Sequence, residues 1–255
     1  MTQRHWGLAT IVATTLAACG GGGNGGELPS PGLPTASAPP PPASAKTSAD
    51  CFNEADFHEG TVLEVRRGAS SLTGPTIQTK VVTGARESFA QATPIAFLRS
   101  SPDIPSSNGE TSKTYRDIIG GKVVDYGSIG KSSVTDYVDS VWTNVPPIAM
   151  PVAFKEGETV RVDYALTIEP SNGQPSARTP TTVSQTYLGR EIIQTPVGTF
   201  DTCKLLIVTQ SEGSPTTKEQ RWIAAEGPFR GQELKWGNPD RNDSWIVRSI
   251  VYTPK

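Results

Sequence analysis

Histidine is almost absent from this chain: among 255 residues there are two, His5 and His58. Nucleophilic hydrolases of the Ser-His-Asp or Cys-His kind need an imidazole beside the nucleophile, and ordinary zinc hydrolase sites draw on a histidine pair. Both classes would have to rest on His58. It stands in Asn53-Glu54-Ala55-Asp56-Phe57-His58-Glu59-Gly60, where a strand would bring Asp56 and His58 to one face and turn Glu59 away. The plainer expectation is a polar surface residue at the entry to the fold. Cysteine is also scarce, with Cys19, Cys51 and Cys203 and no Cys-x-x-Cys pair, which disfavours dithiol redox catalysis. Charge of either sign is modest: 23 Lys and Arg against 25 Asp and Glu leave a formal net charge of -2, without a basic cluster. Nucleic acid is therefore not an expected partner.

Chemical motifs are equally thin. Tyr126 to Ser132 ends like a phosphate loop in Gly130-Lys131-Ser132, but Asp125 occupies the place that needs glycine, so the stretch reads as a turn. The same stretch lacks the Gly-x-Ser-x-Gly spacing of a nucleophile elbow. Asn238 to Trp245 sets Asp240, Asn242 and Ser244 at alternate positions as a calcium loop does. Trp245 then falls where the loop needs glycine and Val251 where it needs glutamate, which leaves a polar hairpin. Acidic residues are scattered, and no carboxylate pair of the glycosidase type stands out.

Helical periodicity is missing too. No window sustains it for three turns, and Thr111 to Ile119 is the best short candidate. What the chain has instead is alternation. From Thr159 to Ile168, Val160, Val162, Tyr164, Leu166 and Ile168 fall on one face and Thr159, Arg161, Asp163, Ala165 and Thr167 on the other, the pattern of a strand with one wet face. Similar but less clean runs occur at Thr61–Arg67, Ile77–Thr83, Val134–Trp142, Val183–Arg190, Cys203–Gln210, Thr217–Ala224 and Trp245–Tyr252, separated by Gly-, Pro- and Asn-rich turns. The reading is an all-β antiparallel meander of about nine to eleven strands, too many for a flat open sheet. It predicts a curved half-barrel, with a closed barrel or a sandwich as the other arrangements.

Ahead of the strands lie two segments of different character. Arg4 precedes an uncharged run from Gly7 to Ala18, the layout of a secretory signal over residues 1–18. As a helix it rises only ~18 Å, short of the ~30 Å hydrocarbon core of a bilayer. From Gly20 to Asp50 there is no aromatic and no β-branched aliphatic residue, and the only charges are Glu27, Lys46 and Asp50. Such a segment cannot bury enough apolar surface to offset chain entropy, and it is expected to be a disordered Gly/Pro/Ser-rich tether spanning ~30 Å or more. The single β domain is then 51–255.

The signal ends in Leu16-Ala17-Ala18-Cys19, which resembles the lipobox of bacterial lipoproteins. The resemblance implies cleavage before Cys19, a diacylglycerol thioether on Cys19 and an acylated amino group, hence attachment to a membrane through lipid. Gly20, in place of aspartate, implies the outer membrane as destination, with the domain facing the periplasm or the cell surface. In that oxidising compartment Cys51 and Cys203 are expected to pair. Two further segments, from Pro146 and from Tyr187, carry a Gly-x-Glu and then Thr195-Pro196-Val197-Gly198-Thr199-Phe200. They resemble uncharacterised periplasmic proteins whose half-barrel sheet is similar to lipoprotein-carrier folds.

Trp142, Trp222, Trp236 and Trp245 lie in or beside strands, and Phe229 falls in a Gly-flanked turn between two of them. Trp222, Phe229 and Trp236 are the candidate contacts for a ligand or partner, against the plainer expectation that they fill core. Together these features point to a non-enzymatic envelope lipoprotein that needs no cofactor and binds an apolar ligand, a lipid moiety or an envelope protein. A glycan or cell-wall hydrolase built on two carboxylates and a structural or adhesive surface module are the rival readings. Replacing Cys19 by alanine is expected to leave the protein soluble or unprocessed; membrane attachment that survives this change in a cell-fractionation assay contradicts the lipid anchor.

Overall fold

A computed structural model describes residues 47–69, 75–101, 110–132, 138–241 and 243–255. The signal at 1–18, Cys19 and the tether as far as 46 lie outside the described residues, as does the stretch 134–137 that opened one expected strand.

Twelve strands follow one another: β1 (Val62–Ala69), β2 (Thr76–Arg86), β3 (Ile95–Ser101), β4 (Glu110–Ile119), β5 (Lys122–Ser132), β6 (Val138–Pro151), β7 (Thr159–Pro170), β8 (Ala177–Thr195), β9 (Gly198–Ser211), β10 (Thr217–Ala224), β11 (Glu233–Asn238) and β12 (Asp243–Thr253). Each is antiparallel to its neighbours in sequence, and β1 also pairs with β12 from Val62↔Thr253 to Ala69↔Trp245. The all-β antiparallel meander is thus present, but as a closed barrel of twelve strands and not as a half-barrel of nine to eleven. Hydrophobic alternation reports which face of a strand is dry. It does not report whether the first and last strands meet.

The added strands had been disguised. Thr111 to Ile119, the best short helical candidate in the sequence, is most of β4: threonine, tyrosine and isoleucine suit a pleated surface, and pairing with β3 and β5 overrides a weak helical pattern. Tyr126 to Ser132, expected as a turn, is the second half of β5. Its glycine marks a bulge between Asp125 and Gly127, where φ is +132° and a side chain would run into the Trp142 carbonyl.

Side chains alternate between lumen and outside as on β7, where Val162 lies opposite Val183 of β8. Arg161 and Asp163 point outward and are 62 % and 68 % exposed. Glu64, Lys80, Lys113 and Lys204 alternate with lumen residues in the same way. One outward patch is covered by the chain itself, where Phe89 from the β2–β3 connection stacks on Tyr115 at 4.1 Å, with Ala96, Val124 and Tyr126 around them.

The end of the barrel where β1 begins and β12 finishes is closed by the chain that precedes β1. Ser48–Cys51 and Glu54–Phe57 are 3₁₀ turns laid across it. The Ser48 hydroxyl donates to the Val152 carbonyl at 2.9 Å and accepts from the Phe154 amide at 2.8 Å. Asp50 pairs with Arg190 at 3.1 Å, and Arg230 donates to the Asp50 carbonyl at 2.8 Å. Asn53 packs against Gly231, whose φ of +86° and closeness to the Asn53 side chain both require glycine. The folded part therefore begins ahead of Cys51, and Ser48, Ala49 and Asp50 belong to the plug and not to the tether; composition cannot show that three small or polar residues have partners waiting. Cys51 and Cys203 form a disulfide across a separation of 152 residues, surrounded by Phe154, Tyr187, Leu205 and Ala225.

Replacing both Cys51 and Cys203 by serine is expected to lower the unfolding free energy, by up to about 5 kcal/mol in the chain-entropy account of so long a loop. Denaturant titration measures it; a loss under about 1 kcal/mol contradicts the staple.

Candidate functional site

Twelve strands enclose more space than side chains from the wall can fill. The inward positions line two chambers that meet at Arg116 and Arg221. The lower chamber, about 410 Å³, lies toward the plugged end and is walled largely by aliphatic residues such as Ile148, Met150, Leu205 and Ile223, with Phe154 at the plug. The upper chamber, about 610 Å³, lies toward the opposite end. Its apolar wall comes from Leu63, Val65, Ile77, Val81 and Phe97, and two tryptophans complete it. Trp236 of β11 and Trp245 of β12 are register partners and stack at 5.9 Å with their planes 4° apart. Volumes of this size fall in the range of small-molecule pockets.

Charge is concentrated where the chambers meet. Arg116 pairs with Asp125 at 2.9 Å. Arg221 contacts Glu219 at 2.7 Å and Glu233 at 3.4 Å, and Glu233 reaches Arg67 at 3.7 Å. Burial works against the Arg221 charge, yet the carboxylates of Glu233 and Glu219 more than offset it and raise its pKa. For Arg67 the balance is reversed: burial lowers its pKa, Glu233 compensates in part, and the positive charges of Arg99 and Arg221 lower it further. Glu219 and Glu233 are the nearest approach to a lumenal carboxylate pair. Both are held on the same Arg221 guanidinium.

The residues singled out in the sequence separate. Trp236 is on the lumen wall. Trp222 points out of the lumen, between the ammonium groups of Lys235 at 4.3 Å and Lys204 at 5.0 Å, in a cluster with Ile193, Ala224 and Leu234. Phe229, in the 3₁₀ turn Gly227–Phe229, packs on that same cluster and lies 6.1 Å from Phe200. Trp222 and Phe229 thus serve the packing of one barrel corner, while Trp236 faces the cavity. Asp56 and His58 do not converge, since their segment is a 3₁₀ turn and not a strand. Asp56 accepts from Tyr252 at 2.6 Å and Gln232 at 2.8 Å, with burial pushing its carboxyl pKa up, and the His58 ring meets the Lys255 carbonyl at 2.7 Å. The Asn238 to Trp245 stretch is the expected polar hairpin: the Asp240 amide donates to the Asn238 side chain at 2.8 Å and the Asn238 amide to Asp243 at 3.1 Å. Missing from the sequence reading were the lumenal arginines Arg67, Arg99, Arg116 and Arg221. Their only signal is that each occupies the dry register of its strand, a position where an isolated charge is costly.

Neither a family model nor a curated protein matches the sequence. Among solved structures the chain is similar to a "putative lipoprotein" from Parabacteroides distasonis ATCC 8503, at 16% identity and a TM-score of 0.43, over 76% of this chain and 96% of that one.

Exchanging Arg221 for methionine would leave Glu219 without its partner and Glu233 with only the 3.7 Å contact to Arg67. Arg221 and Glu219 are 40 % and 35 % exposed, so water screens the network in part, and a loss of about 1–2 kcal/mol is expected in chemical denaturation. A change below about 1 kcal/mol contradicts the network's role.

Proposed function

We propose that this chain is an envelope lipoprotein, held to the outer membrane through Cys19, whose barrel takes up an amphipathic ligand or lipid moiety within its lumen. The observation that carries the reading is the upper chamber of about 610 Å³, in which Leu63, Val65, Ile77, Val81 and Phe97 and the stacked Trp236 and Trp245 share the wall with charged residues. A wall of this kind without an occupant leaves apolar surface facing water inside the barrel, and a ligand that covers it gains about 25 cal/mol for each Å² removed from solvent. The role is one of binding and not of catalysis. The attachment of Glu219 and Glu233 to Arg221 favours it over carboxylate-pair hydrolysis.

An environment-sensitive apolar dye such as 1-N-phenylnaphthylamine is expected to brighten on entering the lumen, and lipid extracted from envelope-purified protein is expected to displace it. Trp236→Ala should weaken dye binding severalfold, because it removes one side of the chamber; Trp222→Ala should leave the dye affinity near that of the unaltered protein while lowering stability. Dye affinity that follows Trp222 and ignores Trp236 would place the site elsewhere.

A further inference from the structure

We propose that the ligand of the upper chamber is an acidic amphiphile, its carboxylate or phosphate held between Arg67 and Arg99 while its hydrocarbon lies along Leu63, Val81 and Phe97. The inference deepens the lumenal binding reading and rests on it.

A charge count of the lumen supports it. Four guanidiniums, Arg67, Arg99, Arg116 and Arg221, face three carboxylates, Asp125, Glu219 and Glu233. Asp125 is taken by Arg116 and Glu219 by Arg221, while Glu233 is divided between Arg221 at 3.4 Å and Arg67 at 3.7 Å. Arg99 has no ion pair among the described residues, and Arg67 has there only the Glu233 carboxylate that it shares with Arg221. One positive charge in excess thus falls on the pair Arg67 and Arg99, which line the same chamber and repel one another.

An anion between Arg67 and Arg99 offsets that excess. Guanidinium presents parallel N–H donors that match a carboxylate or phosphate, and such charge-assisted bonds strengthen where water is partly excluded. Phe97 and Arg99 are successive inward residues of β3, and Val81 of β2 is the register partner of Arg99. An acid group at Arg99 therefore has apolar wall directly beside it, which an inorganic anion would leave uncovered. A neutral lipid would cover the wall and leave the guanidiniums unsatisfied. A cationic amphiphile would add to the repulsion.

Four probes of equal chain length test this on the purified chain below their micelle-forming concentrations: dodecanoate, dodecyl phosphate, dodecanol and dodecyltrimethylammonium. Binding is read by tryptophan fluorescence and calorimetry. One or both acids are expected to bind at least about tenfold more tightly than dodecanol, and Arg99→Gln to erase most of that gap without weakening dodecanol. Preference for dodecanoate alone identifies a carboxylate ligand, and preference for dodecyl phosphate alone a phosphorylated one. Equal affinity for acids and alcohol, tighter binding of the ammonium, or an acid preference that persists in both Arg99→Gln and a folded Arg67→Gln variant overturns the head-group inference and leaves lumenal binding standing. Absence of binding by all four probes overturns the lumenal reading itself.

Discussion

Everything in this molecule that resembles a site depends on the ladder between β1 and β12. Eight residue pairs, from Val62 with Thr253 to Ala69 with Trp245, join the first strand to the last. A meander without that ladder would present two open edges, and its inner face would be the concave side of an open sheet. With it, the alternation of each strand acquires a meaning that sequence alone cannot supply: one face looks into an enclosed volume. The bulge between Arg66 and Arg67 lies within this same ladder. Closure and the placement of the most deeply buried lumenal arginine are thus parts of one pairing.

Enclosure changes the physics of the groups inside. Arg67, Arg116 and Arg221 on an outer wall would be solvated and exchange partners freely. Inside they are bound to Asp125, Glu219 and Glu233, which come from different strands, so the ion pairs tie β4 to β5 and β1 to β10 and β11. Such a network trades stability for a defined polarity in the cavity. The apolar wall beside it supplies the other half of an amphipathic interior, and the two halves together give the lumen a directional preference that neither supplies alone.

Much of the barrel could be read from the residues. The strand at Thr159–Ile168 announces itself by clean alternation, the one at Thr217–Ala224 by a less clean pattern, and the Thr195 to Gly198 turn between β8 and β9 by its proline and glycine. The strands that escaped did so for identifiable reasons. β5 carries Gly127 and Gly130, which look like a turn when no partner strand is known. β4 has Lys113, Thr114, Tyr115 and Arg116 in a row, so polarity falls on both faces, because one face meets a charged lumen and the other meets Glu87 and Phe89. The site was less legible than the fold. Tryptophans attract notice wherever they stand, yet Trp222 and Trp236 differ in sequence by nothing that shows which wall they face. Arginines on separate strands, far apart in the chain, become neighbours only when the barrel closes.

The plug at the base has a mechanical meaning. Any tension arriving along the chain from upstream of Thr47 reaches Ser48–Cys51 before it reaches β1. There it meets the ion pair of Asp50 with Arg190 and then the covalent link from Cys51 into β9. The load passes into the middle of the sheet, where strands are held on both sides, and bypasses the β1–β12 seam, whose ladder could be unzipped from its end. Reduction of that single bond would redirect the force onto the strand whose detachment opens the barrel, so resistance to pulling would fall far more than resistance to heat.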